Sequence, residues 1–98
     1  MTTSDVAHRA VLFCKQGCPP CDATKDFVFA LKPHLTENLS IMQKENHSAL
    51  VAAYELSKYP TLLIVDRDGV EVDKVIGSKN VREQLLNILN TIKANRDS

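Results

Sequence analysis

Tryptophan is absent from this 98-residue chain, and so is any surplus of charge: 12 Lys and Arg balance 12 Asp and Glu. Without a basic excess, nucleic-acid binding has no global electrostatic support, and none is expected. No stretch approaches the ~20 apolar residues that a membrane-spanning helix requires, so no membrane partner is expected either. Residues 1–5 lack the basic segment and hydrophobic run of a secretory leader, which makes the cytoplasm the expected location. Internal repeats, low-complexity tracts and an interdomain linker are also missing. One domain over residues 1–98 is expected, long enough to bury about two thirds of its extended surface. Cysteine is scarce and odd in number, with Cys14, Cys18 and Cys21. A disulfide-stapled scaffold uses an even set, and a reducing cytosol discourages permanent bridges; one reversible pair plus a spare thiol fits the count.

What is present is organised around residues 11–21. Val11, Leu12 and Phe13 read as a short buried strand, Lys15, Gln16 and Gly17 break it, and Cys18 to Cys21 open the next element. A Cys-x-x-Cys pair where a strand hands over to a helix reads as a redox pair rather than a staple.

In chain order, residues 8–13 form the first strand, continuously apolar from Ala10 as in a sheet covered on both sides. A helix follows from Pro19, which suits a helix start. Ala23, Phe27, Ala30 and Leu31 describe its apolar face, and Pro33 ends it near Leu31. Residues 39–42 form a second strand. A short helix follows, capped by Asn46 or Ser48, with Leu50, Ala53 and Tyr54 facing inward. Residues 62–65 are the clearest strand, and the turn at Asp66-Arg67-Asp68-Gly69 makes an antiparallel hairpin with residues 70–76. Ser78 or Asn80 caps the last helix, whose stripe is Val81, Leu85, Ile88, Leu89 and Ile92. The expected fold class is α/β, in the order β-α-β-α-β-β-α. It is a four-stranded mixed sheet with helices on both faces.

Thiol–disulfide exchange needs a sulfur that can act as an anion, and a helix N-terminus favours negative charge. Cys18 is therefore the candidate nucleophile, expected to face solvent, and Cys21, one turn further in, the more buried resolving thiol. Gly17 either lets a substrate backbone approach Cys18 or simply makes the turn. Lys15 either supports the thiolate electrostatically or is a solvated loop lysine. Two alternatives stand beside the redox reading. Cys18 and Cys21 are ordinary structural cysteines, or they join Cys14 around zinc, although a closed zinc site wants four ligands and His8, His34 and His47 lack the usual spacing. Cys14 ends an apolar strand, which suits a buried small hydrophobe; the other reading is a second redox or regulatory thiol.

These residues resemble the thioredoxin-like superfamily. Cys18-Pro19-Pro20-Cys21 after a strand is similar to its redox motif, and Tyr59-Pro60-Thr61 before residues 62–65, with the Asp68-Gly69 turn and Gly77, is similar to its second signature. The resemblance implies a cis Tyr59–Pro60 bond facing the cysteine pair. It also implies a substrate-binding groove bordered by Gly17, Pro19, Tyr59, Pro60 and Thr61. Thioredoxins proper carry Trp and Gly around the first cysteine, where this chain has Gly17 and Pro19. They also carry a buried acid where it has Leu12, and a large aromatic is common where it has Cys14. Glutaredoxins are similar in size and in Cys-Pro-x-Cys, yet their Gly-Gly and nearby Asp match Gly77-Ser78-Lys79-Asn80 imperfectly, and Tyr59 stands where they often have Val. The resemblance is therefore to a small thioredoxin/glutaredoxin-like reductant of bacterial or bacteriophage type.

It implies a thiol–disulfide oxidoreductase that reduces protein disulfides through Cys18 and Cys21, with ribonucleotide reductase among its possible recipients. No bound cofactor is expected beyond the redox-active disulfide. Thioredoxin reductase or the glutathione system would recharge it, glutathione then being a co-substrate, and the expected state is a monomer. The alternatives are a glutathione-dependent glutaredoxin and a non-enzymatic binding module of the same fold.

Overall fold

Alternation along two apolar strands decides the architecture. In a computed structural model describing residues 6–97, strand β1 (Arg9–Cys14) and strand β3 (Thr61–Val65) lie side by side at the centre of the sheet. Successive side chains of a strand point to opposite faces. Ala10, Leu12, Cys14, Leu62 and Ile64 enter one apolar cluster, while Val11, Phe13, Leu63 and Val65 enter another. Both faces therefore need cover.

Helices α1 (Pro19–Phe29) and α3 (Ser78–Asp97) cover the first face, contributing Cys21, Val28, Val81, Leu85, Leu89 and Ile92. The shorter α2 (Ser48–Ala53) and the segment after it cover the second, through Val51, Tyr54 and Leu56. Strands β2 (Leu39–Gln43) and β4 (Glu71–Ile76) form the edges, giving the order β2-β1-β3-β4. The β1–β2 pairing is parallel and the other two are antiparallel. A parallel neighbour requires a crossover, and α1 supplies it. The sheet is thus mixed and flanked by helices on both faces, in the expected order.

The hairpin between β3 and β4 is held by Asp66, whose Oδ1 accepts from the Asp68 and Val70 N–H groups, each at 2.9 Å. Gly69 takes the left-handed φ of 83° that the turn requires. Pairing slips by one residue at Ile64/Val65, where Val65 meets Glu71, and β4 begins there, one residue after the expected Val70. Among the described residues, no helix is long and apolar enough to cross a membrane.

Three local expectations fail. The buried face of α1 is Cys21, Thr24 and Val28, with Phe27 and Leu31 partly covered, whereas Ala23 and Ala30 are exposed. Alanine fits either side of a helix, and Thr24 can be buried because its hydroxyl is satisfied within 2.9 Å of the Pro20 carbonyl and 2.7 Å of Ser78 Oγ. In α2, neither Asn46 nor Ser48 caps. Asn46 belongs to a 3-10 turn, Lys44–Asn46, and Ser48 is already helical. Leu50 and Ala53 are exposed there, because the helix stops after six residues and Leu56, beyond a Glu55 with φ of 56°, becomes the buried anchor. Ser78 and Asn80 likewise lie inside α3, where the Asn80 side chain donates to the Ile76 carbonyl at 3.0 Å. The apolar stripe of α3 matches expectation, with Ile88 partly covered.

Candidate active site

Four strand ends converge on one edge of the sheet. Register places Cys14 beside Gln43, Phe13 beside Thr61, and Thr61 beside Ile76. The loop 15–17, the turn after β2, the Tyr59–Pro60 segment and the start of α3 therefore emerge together.

From Cys14 the chain turns through Lys15, Gln16 and Gly17, the last with φ of 68°, into Cys18. Cys18 is the N-cap of α1, with the extended backbone that caps adopt. Pro19 and Pro20 occupy the first helical positions and have no N–H to offer, so the first unpaired donor of the helix is that of Cys21. Cys18 Sγ accepts it at 3.3 Å, while the Cys18 carbonyl accepts from Asp22 at 3.0 Å. Sulfur here takes the place of the usual capping oxygen. A backbone N–H aimed at sulfur is the arrangement that favours an anion at a helix start.

Burial orders the two thiols as expected but leaves both inside. Cys21 has no exposed surface, and Cys18 is only 4% exposed, contrary to the solvent-facing position expected of it. The cap explains the difference: reaching back to the Cys21 N–H turns the Cys18 side chain into the cluster that holds Cys14 and Cys21. Cys21 Sγ also accepts the Lys15 backbone N–H at 3.5 Å. Its thiol is within hydrogen-bonding reach of Cys18 and of Cys14. Burial first, then donation toward Cys18, pushes the Cys21 pKa up to about 12, against the opposing pull of the Lys15 N–H. Burial raises the Cys14 pKa as well. Among the described residues, no group of three or more His, Cys, Asp or Glu is placed to hold a metal ion.

Around this pair, Lys15 donates its main-chain N–H to Cys21 Sγ, and backbone N–H groups, more than the Lys44 and Lys15 ammoniums, hold the Glu45 carboxyl below its ordinary pKa. The larger cause of that lowering is the Gln16 N–H, which donates to Glu45 Oε2 at 3.1 Å and braces the cysteine loop against the turn after β2. Lys44 Nζ lies 5.4 Å from the centre of the Tyr59 ring, a cation–π contact. The Tyr59–Pro60 bond is cis, in keeping with the resemblance, and the Pro60 carbonyl accepts from Gly77 at 2.9 Å. Gly17 and Pro19 are exposed and Tyr59 half-buried, but Pro60 and Thr61 are buried. The Thr61 hydroxyl donates to the Lys58 carbonyl, so its buried side chain braces the loop before the cis proline. Glu45 escaped the sequence reading because no motif surrounds it; only the parallel register of β2 on β1 brings it to the loop.

Two buried thiols with raised pKa make stability fall at high pH. In the unfolded chain they ionise near 8.5 to 9. The folded state keeps their protons longer, so it binds more protons than the unfolded state between that range and about 12. The contribution is complete below the unfolded value and disappears as pH rises through the folded one. Denaturant midpoints of the reduced protein should fall between pH 8 and 10.5, and less steeply for Cys21→Ala. An unchanged slope in that variant would refute the assignment.

No protein-family model matches the chain. Over 79 residues, 80% of this chain, it is 29% identical to a curated thioredoxin of Chlamydia caviae, covering 76% of that protein. Its structure is similar to the crystal structure of thioredoxin from Trypanosoma brucei brucei, with a TM-score of 0.70 at 20% identity, over 93% of this chain and 79% of that one. The X-ray structure of Fasciola hepatica thioredoxin gives 0.68 at 24% identity, over 93% and 84%. With four strands in this order, helices on both faces and a Cys-x-x-Cys pair at the first helix start, the chain has the thioredoxin-like fold and is similar in sequence to a thioredoxin.

Proposed function

We propose that the protein is a thiol–disulfide oxidoreductase that reduces protein disulfides. The observation that carries this reading is the Cys18 sulfur capping α1 through the Cys21 N–H, with the Cys21 thiol directly behind it. Cys18 attacks one sulfur of a partner's disulfide, forming a mixed disulfide and releasing the other sulfur as thiolate. Cys21 then loses its proton and attacks Cys18; the Cys18–Cys21 bond forms, and the partner leaves reduced. Because Cys18 is nearly buried, attack requires its side chain to leave the cap. Exposed Gly17 and Pro19 flank it, and half-buried Tyr59 emerges at the same sheet end, so these are the residues an extended partner segment meets. The chemistry balances with no bound cofactor. In the reducing cytoplasm the disulfide returns to dithiol through a thioredoxin reductase or glutathione, and ribonucleotide reductase belongs to the class of recipients.

Insulin reduction run in parallel with thioredoxin reductase and with glutathione plus its reductase tests this. Turnover with the first identifies a thioredoxin-type reductant, and turnover with the second a glutaredoxin-type one. The burial of Cys18 favours one other reading, a protein-binding module of the same fold. Silence in both assays, with a Cys18–Cys21 bond that still forms and opens, would select that module and defeat the reductase.

A further inference from the structure

Cys14 has no part in the exchange just described, yet its position is not that of an isolated core residue. Alternation along β1 turns Cys14 toward the face that α1 covers, and it has no exposed surface. The next peptide unit donates its N–H to Cys21 Sγ at 3.5 Å, which brings the end of β1 directly against that sulfur. Cys21 therefore neighbours both other cysteines, Cys18 through its helix turn and Cys14 through the strand end. The three do not gather around a common point that could hold a metal. Cys21 is their shared member, which is the order an exchange needs, with an attacking sulfur, a central sulfur and a leaving sulfur.

We propose that the oxidised protein moves its disulfide from Cys18–Cys21 to Cys14–Cys21. The inference rests on the redox reading above, since the Cys18–Cys21 bond is its starting point and a partner's disulfide its source. The Cys14 sulfur attacks Cys21, and its proton passes toward the departing Cys18 sulfur. The Cys14–Cys21 bond forms, the Cys18–Cys21 bond breaks, and the electron pair leaves on Cys18, which takes up that proton. Nothing is oxidised or reduced overall. The product has lost its resolving thiol to Cys14, so Cys18 keeps any partner it next captures instead of releasing it. The device is a redox-dependent brake on turnover.

Peptide mapping separates the two isomers because Lys15 lies between Cys14 and the motif. Trypsin leaves Cys14 in residues 10–15 and both Cys18 and Cys21 in residues 16–25. The full chain is oxidised with diamide, alkylated at low pH, digested without reductant and read by mass spectrometry. Relocation joins the two peptides with the alkyl group on Cys18. The joined species should reach at least about a tenth of all disulfide, the level at which relocation costs no more than ~1.4 kcal/mol. In Cys18→Ser it should be the sole intramolecular disulfide. A wild-type digest with Cys18–Cys21 closed and Cys14 fully alkylated overturns the relocation while leaving the parent reading intact, whatever the variant shows. A link through Cys18 instead of Cys21 also overturns it. A digest with no disulfide of either kind defeats the parent reading and the relocation together.

Discussion

Cys18→Ser should reduce insulin at a rate at least about a thousandfold below wild type, the scale expected when the nucleophile of a concerted catalytic unit is removed. The expectation follows from the cap. A serine oxygen accepts the Cys21 N–H as well as sulfur does, so the helix start and the fold should survive the change. What is lost is the ability to ionise and to displace a sulfur from a disulfide. Cys21→Ser tests the second half of the mechanism. It leaves Cys18 in place but removes the sulfur that releases the partner, so mixed disulfides should accumulate and appear as reductant-sensitive adducts. Cys14 does not rescue this variant, because its sulfur neighbour is the one deleted. Near-wild-type turnover by Cys18→Ser would end the reductase reading.

The second large effect lies far from the cysteines. Leu85 is 1% exposed on the face of α3 that covers the sheet, and the adjacent Leu86 is 38% exposed. Leu85→Ala removes buried methyl groups and leaves a cavity that the surroundings fill only in part. The expected loss is about 2–5 kcal/mol, a large share of the ~5–15 kcal/mol that holds a domain of this size together. Each kcal/mol shifts the melting temperature of such a domain by about 4–8 °C, so the drop should be at least about 8 °C by calorimetry. Leu86→Ala, one position further along the same helix, should stay within about 0.5 kcal/mol. Equal losses at the two positions would show the phase of α3 to be wrong.

Much of this architecture was legible because strongly apolar stretches leave few alternatives. The β1 and β3 runs, the Asp66–Gly69 turn and the α3 stripe each have one arrangement that buries them. The misphased face of α1 shows where that logic weakens. Ala23 and Ala30 carry too little apolar surface to impose an orientation, and Thr24 goes inward on the strength of hydrogen bonds to Pro20 and Ser78, a partner 54 residues away. In α2 the register was lost because six residues make less than two turns. At the site, the spacing of Cys18 and Cys21 was readable from the motif alone. The burial of Cys18 was not, since it depends on which donor the two prolines leave free. Cys14 could be placed on the α1 face by counting along β1, but the contact with Cys21 needs the loop geometry.

The edge strand β4 has a bearing on how copies of this chain behave toward one another. Equal numbers of acidic and basic residues mean that copies meet without long-range repulsion. Unpaired strand edges are natural templates for joining sheets between molecules. Along β4 stand Glu71, Asp73 and Lys74, the last two adjacent and of opposite sign, with the Lys74 ammonium tied to the Tyr54 carbonyl at 2.9 Å and to Glu71 at 3.5 Å. A second β4 sliding alongside would have to strip water from these charges, so solubility in this protein is guarded by where its ions sit and not by how many it has.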